Sequence, residues 1–323
     1  MRADGDGWVE CGQGHRHWGR FGAAGLLILD RAEPPGRVVL QHRASWSHEG
    51  DTWGLPGGAR DSDESPVQAA VREAGEEAGV APADVRPYGL LLDDHGGWSY
   101  TSVLAEPVGP LAPRPTAEES TQVRWVLEPE VAALPLHPGF ASTWPRLRSA
   151  PPPLTVLIDA ANVVGARGGG DGWWRDRAGA TRRLRDALGP LLAGLPAADL
   201  PDPTGAVDLE LPRVLLVVEG AARVVATDPT GAGGPDVLAA DGGGDDAIVA
   251  AAAAAVAAGR RVLAVTADRG LIERLATLGV GRVGPRWLLD RIDGPADRAG
   301  RGGRSRGADG SRRGPDGSRR ARP

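Results

Sequence analysis

Cysteine, lysine and long apolar runs are rare or missing in this 323-residue sequence. The single cysteine, Cys11, excludes an internal disulfide and fits a reducing compartment. The longest apolar run, residues 247–258, is mostly alanine and too short to span a bilayer. The N-terminus has no apolar segment typical of a signal peptide. We therefore expect a soluble, cytoplasmic protein with no membrane partner. The absence of lysine, with heavy use of alanine, glycine, arginine and proline, is interpreted as a coding bias.

Negative charge is concentrated in the first nine-tenths of the chain. Residues 294–323 contain nine arginines and three aspartates, so residues 1–293 carry a net charge of −11 against −5 for the whole chain. The negative charge of residues 1–293 argues against non-specific binding of nucleic acid by this part of the chain. The arginine-rich end repeats DGSRR and is predicted to be disordered. RNA phosphate is a candidate partner for it, and a solvated tail is the open alternative.

The length exceeds what one core usually holds, so two domains are expected. A proline-rich stretch at 149–153 marks the boundary between them. The predicted organisation is a first domain at 1–148, this linker, a second domain at 154–292 and the tail at 293–323. The oligomeric state is left open.

A helix with marked ends is predicted in the first domain after residue 65. Ser65 can cap its N-terminus, Pro66 takes the first helical position, and Gln68 completes a capping box. Gly79 ends the helix.

Three carboxylates project from one face of this helix, because Glu73, Glu76 and Glu77 are spaced i, i+3, i+4. Like charges at this spacing repel, which favours a cation among them, and hard oxygen ligands suit Mg²⁺ or Mn²⁺. A solvated acidic face is the alternative.

The spacing of the surrounding residues decides between these interpretations. Gly58, Glu64, Arg72-Glu73, Glu76-Glu77 and Gly79-Val80 stand in a pattern that resembles the Nudix box of the Nudix hydrolases, with Ala74 in place of a larger aliphatic residue. The resemblance implies a phosphoric anhydride hydrolase that uses Mg²⁺ or Mn²⁺. It implies that Glu73, Glu76, Glu77 and the carbonyl of Gly58 bind the metal. It also implies that Arg72 orients Glu76 and that Glu64 anchors the loop or joins a further metal. Which glutamate is the general base is left open.

Strands are predicted on both sides of this helix, at 20–30, 37–43, 88–93, 100–105 and 121–127, with a short helix near 129–133. This order suits the α/β/α sandwich that the resemblance implies. Outside the box, the candidate contacts to a nucleotide substrate are His42, Arg43, Trp53 and Glu119. A nucleoside triphosphate, with an oxidised purine nucleotide as the first guess, is the expected substrate.

Metal binding near the N-terminus is not expected. Cys11, His15 and His17 are metal-ligating residue types, but a structural zinc site needs four ligands and no CxxC partner is present.

The second domain shows apolar strands alternating with helices, at 154–159, 213–219, 261–266 and 281–283, which predicts a parallel sheet covered on both faces. Its acids fall at the strand ends, where ligands of such sheets bind. The sequence IDAAN…VVEGAAR…GGGDDAIV…VTADRGL resembles the PIN-like nucleases, most of all the NYN branch. The resemblance implies metal ligands at Asp159, Glu219, Asp245, Asp246 and Asp268, with Asn162 beside the first. Taken singly, Asp245, Asp246 and Asp268 could instead be cap or turn residues.

Three functions follow as hypotheses. The first is a Nudix pyrophosphohydrolase fused to a PIN-like, metal-dependent ribonuclease. The second is a nucleotide-sensing Nudix module that regulates the second domain with little turnover of its own. The third makes the second domain a catalytically silent RNA-binding or scaffold module.

Overall fold

The computed structural model describes residues 4–167, 173–229 and 233–293 of a mixed α/β protein. The chain begins with an antiparallel hairpin of two short strands, β1 (Trp8–Glu10) and β2 (Arg16–Trp18). The first residue of the predicted 293–323 tail, Asp293, is buried and paired with Arg167, whereas residues 294–323 lie outside the described residues.

The remaining elements of the first half are seven strands, two α-helices and short 3-10 turns. In order they are β3 (Ala23–Asp30), β4 (Arg37–Arg43), β5 (Trp53–Gly54), β6 (Gly57–Ala59), α1 (Pro66–Ala78), β7 (Val85–Asp94), β8 (Ser99–Pro107), β9 (Ser120–Leu127), a 3-10 helix (Glu128–Ala133) and α2 (Pro138–Leu147). The strands predicted from the sequence are present, whereas the β1–β2 hairpin and α2 were not predicted. Helix α2 begins at a proline and holds another inside it, which weakens its sequence signal.

Helix α1 has the end structure that its sequence predicted. The Ser65 hydroxyl accepts from the Gln68 amide, the Gln68 side chain accepts from the Ser65 amide, and Gly79 takes the left-handed conformation at φ 67°. Its alanines pack on the sheet, and Ala74 is fully buried there. The small residue at position 74 therefore lets the helix lie close to the strands beneath it.

The second half forms a separate sheet of five parallel strands. Its elements are β10 (Leu154–Asp159), α3 (Ala160–Arg167), α4 (Arg177–Asp186), α5 (Gly189–Ala193), β11 (Leu195–Pro196), β12 (Leu209–Glu210), β13 (Arg213–Val218), a 3-10 helix (Gly220–Thr227), β14 (Asp236–Ala239), α6 (Gly244–Ala257), β15 (Arg261–Val265), α7 (Arg269–Ala276), β16 (Gly281–Val283) and α8 (Pro285–Ile292). The strand order is β14-β13-β10-β15-β16. Apolar clusters cover both faces, as expected for a parallel sheet.

Strands β11 and β12 do not join this parallel sheet. They extend the sheet of the first half, whose order is β11-β12-β7-β8-β3-β4-β5, with β6 on β3 and β9 on β4. Leu209 pairs with Leu90 and Glu210 pairs with Gly89. The two sequence units predicted on either side of residues 149–153 thus share one sheet.

Among the described residues, none of the helices combines the length and apolar content that crossing a membrane requires.

Candidate active site

The acidic face of α1 lies against the glycine turn that precedes it. Glu77 is 6% exposed, and one of its carboxylate oxygens accepts a hydrogen bond of 2.8 Å from the Gly57 amide. The Glu73 carboxylate packs on Gly58, where an added Cβ would lie 2.6 Å from Glu73 Oε1. A side chain at position 58 would therefore displace the Glu73 carboxylate from this position.

Burial raises the pKa of two of these carboxyl groups. The pKa of Glu73 and that of Glu77 each rise to about 7, chiefly because burial disfavours the charged form. Repulsion adds to this effect, since Glu73 raises the pKa of Glu77 and Glu76 raises that of Glu73. Glu76 differs, because 59% of its side chain is exposed. The site thus combines two buried acids with one that faces solvent.

Arg72 organises the acids on one side of this cluster. Its guanidinium donates to both oxygens of Glu64 at 2.7 and 2.9 Å, to Glu73 at 2.8 Å and to Glu76 at 3.3 Å. It also donates to the carbonyl of Ala59, which ties it to β6. The hydrogen bonds from Arg72 lower the pKa of Glu64, whereas burial raises the pKa of Glu73 despite its contact with the same guanidinium. The donors of one arginine therefore reach three of the acids predicted for the site.

Two residues that were not predicted from the sequence, Gln41 and Tyr100, lie at the base of the cluster. Gln41 is fully buried beside Glu77, and its amide oxygen accepts from the Ser120 hydroxyl at 3.2 Å. Tyr100 lies near Glu73 and Glu77, and a Cβ at Gly25 would collide with its hydroxyl. These positions come from strands β4 and β8, distant from the helix in sequence, so no local motif includes them.

The substrate-contact candidates are divided between core and surface. Trp53 is 6% exposed and packs between His42 and Arg124, which leaves little of its ring for a nucleobase. His42 contacts the Thr121 hydroxyl at 2.6 Å, and Arg43 donates to the carbonyl of His48. Both His42 and Arg43 lie at the end of strand β4.

Electrostatics distinguish Arg43 from the other candidates. The positive charge of Arg43 lowers the pKa of Glu77, so the Arg43 guanidinium lies within electrostatic range of the acidic cluster. Glu119 is exposed on the loop before β9.

The acids of the second half meet at the carboxyl end of the parallel sheet. Asp159 accepts from the Asn162 amide at 3.0 Å and from the Thr266 hydroxyl at 2.9 Å, while Asn162 accepts from the Ala267 amide. Burial raises the pKa of Asp159, and the charges of Asp245 and Glu219 raise it further.

The other acids of this edge hold different positions. Burial raises the pKa of Asp245, and Asp268 and Glu219 add to the shift. Glu219 accepts from the Gly244 amide, and Asp268 caps α7 through the Leu271 amide. Asp246 instead pairs with Arg274 at 2.7 Å. Asp245 is thus within electrostatic range of Asp159, Glu219, Asp268 and Asp246, and Asp246 is also paired with an arginine.

Comparisons with known proteins identify the first half. The NUDIX domain family matches residues 19–147. "Putative 8-oxo-dGTP diphosphatase 3" of Mycobacterium tuberculosis is 52% identical over 158 residues, which cover 47% of this chain and 72% of the relative. The chain belongs to the Nudix hydrolase family. It is an enzyme of that family, a hydrolase of phosphoric anhydrides.

Two further proteins are similar to part of this chain. A "nucleoside triphosphate pyrophosphatase/Nudix hydrolase fusion protein" of Bifidobacterium longum is 44% identical over 44% of this chain and 30% of its own length. The crystal structure of the Nudix hydrolase RenU from M. smegmatis is 52% identical, covers 45% of this chain and 93% of that one, and superposes with a TM-score of 0.40.

Proposed function

We propose that the first half is a Mg²⁺- or Mn²⁺-dependent nucleoside triphosphate pyrophosphohydrolase that prefers an oxidised purine deoxynucleotide. The observation that carries the proposal is the pair of buried carboxyl groups, Glu73 and Glu77, held against the Gly57-Gly58 turn. The substrate preference is supported by the relative from M. tuberculosis, a putative 8-oxo-dGTP diphosphatase that is 52% identical.

The donor set fits a hard divalent cation. Burial and mutual repulsion raise the pKa values of Glu73 and Glu77, and a bound cation would favour their ionised forms. Glu73, Glu76, Glu77 and the Gly58 carbonyl would hold the ion, which supplies charge stabilisation for the phosphate oxygens when bound. Arg72 positions Glu73 and Glu76, and Glu64 fixes the guanidinium.

The substrate side of the site is assigned from exposure and charge. Arg43 is proposed to contact the phosphates, because its charge acts on Glu77 from strand β4. His42 and Glu119 are proposed as neighbours of the base, since both lie near the β4–β9 pairing outside the buried acids. Trp53 is assigned a packing role beneath His42, because it is buried.

The full-length chain tests this proposal with a substrate panel. 8-oxo-dGTP, dGTP, 8-oxo-dGDP, ADP-ribose and a dinucleoside tetraphosphate are incubated with Mg²⁺, and the nucleotide products are separated and quantified by chromatography. We expect the highest kcat/KM on 8-oxo-dGTP and a large loss in Glu76→Gln, with Glu130→Gln as an exposed control. A preference for ADP-ribose or the dinucleotide contradicts the substrate class. Unchanged hydrolysis in Glu76→Gln contradicts the site.

A sensor role is the alternative for the same site. In that case the nucleotide binds with measurable affinity in calorimetry, while hydrolysis by the wild-type chain stays at the level of Glu76→Gln. Turnover well above that variant excludes the sensor role.

We also propose that residues 154–292 form a PIN-like, NYN-type domain that cleaves RNA with a divalent metal. Asp159 and three further acids at the carboxyl end of a parallel sheet support this proposal. Asp159, Glu219, Asp245 and Asp268 would share the metal, and Asn162 would position Asp159. Asp246 would serve as a supporting acid. Residues 1–148 are the corresponding Nudix unit, with 149–153 between them.

Cleavage of single-stranded RNA by the full-length chain tests the second proposal. We expect Asp159→Asn to abolish cleavage and Asp290→Asn, a half-exposed residue of helix α8, to retain it. Equal cleavage by both variants would assign the activity to a contaminant. RNA binding without cleavage by the wild-type chain would favour the silent RNA-binding module instead.

A further inference from the structure

Two turns bring four metal-ligating side chains together at the start of the chain. Cys11 and His15 lie in the β1–β2 turn, His17 lies in β2, and His95 lies in the β7–β8 turn. Each offers one ligand atom, and these four atoms all lie within 4.8 Å of one another. Zinc bonds of about 2.0–2.3 Å place tetrahedral ligand atoms roughly 3.3–3.8 Å apart. Small side-chain rotations therefore suffice to close the cluster on an ion.

Backbone hydrogen bonds hold the two turns in this arrangement. The Cys11 amide donates to the carbonyl of His15, and the Gly14 amide donates to that of Cys11, each at 2.9 Å. The Gly12 amide donates to the Gly96 carbonyl, which joins the first turn to the second. The turns thus place the ligands beside one another without relying on contacts between the side chains themselves.

The imidazoles present unpaired nitrogens. His17 Nε2 and His95 Nδ1 are buried and have no hydrogen-bond partner among the described residues. The other nitrogen of His95, Nε2, lies 3.3 Å from an Asp93 oxygen, which is the usual carboxylate support of a metal-bound histidine. His17 is fixed by stacking on Trp98, with ring centroids 3.9 Å apart and planes 9° from parallel. Burial also lowers the pKa of His17, which favours the neutral form that binds metals.

We propose that Cys11, His15, His17 and His95 bind one Zn²⁺ in a structural site. One thiolate and three imidazoles suit zinc better than Mg²⁺, and four protein ligands leave no position open for a substrate. The sequence argued against zinc here because three candidate ligands are too few. The structure supplies the fourth, His95, from a turn 78 residues after His17.

The ion would clamp the β1–β2 hairpin to the β7–β8 turn. The hairpin carries Trp8, whose ring contacts His48 at 5.3 Å between centroids, and His48 accepts from Arg43 through its carbonyl. Zinc would therefore fix the hairpin beside the strand that bears the proposed phosphate contact.

Cobalt titration of the full-length chain tests the site. The reduced protein is stripped with a chelator, dialysed and titrated with Co²⁺ alone. We expect the first equivalent of Co²⁺ to produce a thiolate-to-cobalt charge-transfer band and intense visible bands of tetrahedral cobalt, and zinc to abolish these bands. Cobalt bound by the carboxylate sites adds no charge-transfer band. Cys11→Ser removes the charge-transfer band. His95→Gln weakens binding at least about tenfold, since even outer-shell changes cost that much.

Matched variants separate this site from the acidic one. His48→Gln, a histidine next to the hairpin but outside the cluster, should retain the cobalt spectrum, as should Glu76→Gln. Circular dichroism confirms folding, and His95→Gln serves as the test if Cys11→Ser fails to fold. A folded wild-type chain without the charge-transfer band overturns the proposal, as does a folded Cys11→Ser or His95→Gln variant that binds cobalt as the wild type does.

Discussion

Arg72 forms a bidentate ion pair with Glu64, in which Nε donates to one carboxylate oxygen at 2.7 Å and Nη2 donates to the other at 2.9 Å. The remaining donor, Nη1, reaches Glu73 and Glu76. A guanidinium can serve all three acids at once because its five N–H groups are fixed in one plane. The ammonium of lysine cannot reproduce this planar fork.

Arg72→Lys should therefore impair hydrolysis while the chain stays folded. We expect a loss of about 10–100-fold in kcat/KM and a higher Mg²⁺ concentration at half-maximal rate, as for other residues that support metal ligands. Steady-state kinetics across a Mg²⁺ series measures both. Arg37→Lys, in the exposed pair with Asp30, is the control. Equal Mg²⁺ dependence in the two variants would mean that Arg72 does not position the ligands.

Gly58→Ala should displace Glu73, because the new Cβ would lie 2.6–2.8 Å from its carboxyl group. A shift of about 1 Å in a catalytic group can cost on the order of 100-fold in rate, so we expect a loss of that size in kcat. The matched control is Gly75→Ala on helix α1, which also carries Glu73. A Cβ at Gly75 would lie 3.4 Å from its nearest neighbour, the Val80 carbonyl oxygen. Alanine there should preserve activity and raise the unfolding temperature slightly. A Gly58→Ala enzyme as active as Gly75→Ala would show that the turn tolerates a side chain.

Local signals account for what the sequence predicted correctly in the first half. The cap residues of α1 lie within four positions of the helix ends, and the i, i+3, i+4 spacing alone sets Glu73, Glu76 and Glu77 on one face. The family signature then supplied Gly58, Glu64 and Arg72, whose contacts in the structure agree with the spacing.

Long-range pairing accounts for what the sequence did not show. Gln41 and Tyr100 reach the acidic cluster from separate strands, and His95 joins Cys11 only because two distant turns meet. Strand β12 has two residues, too few for a periodic pattern, and its partner β7 lies more than a hundred residues earlier. Such contacts are set by the tertiary fold, so composition and spacing carry no trace of them.

The metal-free protein should lose stability as pH rises. Because burial raises the pKa of Glu77 to about 7 from its ordinary 4.5, the folded state binds this proton more tightly than the unfolded state. That stabilisation is complete below about pH 4.5 and is lost as pH rises through about 7. Glu73 adds a contribution of the same sign. Relative to a variant without the Glu77 carboxyl group, the wild-type unfolding temperature in chelator should fall across this range, and Mg²⁺ should reverse that difference above pH 7.

Glu77→Gln isolates this effect, because glutamine keeps the shape and does not titrate. Its unfolding temperature in chelator should depend less on pH than that of the wild type and should respond less to Mg²⁺. Glu130→Gln, exposed on the 3-10 helix after β9, should behave as the wild type does. If the unfolding temperature of Glu77→Gln fell with pH as steeply as that of Glu130→Gln, Glu77 would not be the source of the pH dependence.

Asp208 connects the segment before β12 to the first half of the chain. One carboxylate oxygen accepts from the Leu92 amide at 2.8 Å and the other from Arg146 at 3.2 Å, beside the buried Val207. The carboxylate is half-exposed, so Asp208→Ala should lower the free energy of unfolding by about 1 kcal/mol. Its clearest readout is faster hydrogen exchange at the Leu92 amide, which loses its acceptor.

Asp202→Ala, in the exposed loop ahead of this segment, should leave both the stability and the Leu92 exchange rate unchanged. Denaturant unfolding of Asp208→Ala then tests whether a change in the second half shifts the unfolding of the first half. Since β12 pairs with β7, Asp208→Ala should shift the unfolding of the first half although the change lies beyond the 149–153 stretch. A first-half transition that stays at its wild-type midpoint, with slow exchange at Leu92, would mean that residues 195–210 add nothing to the sheet they extend.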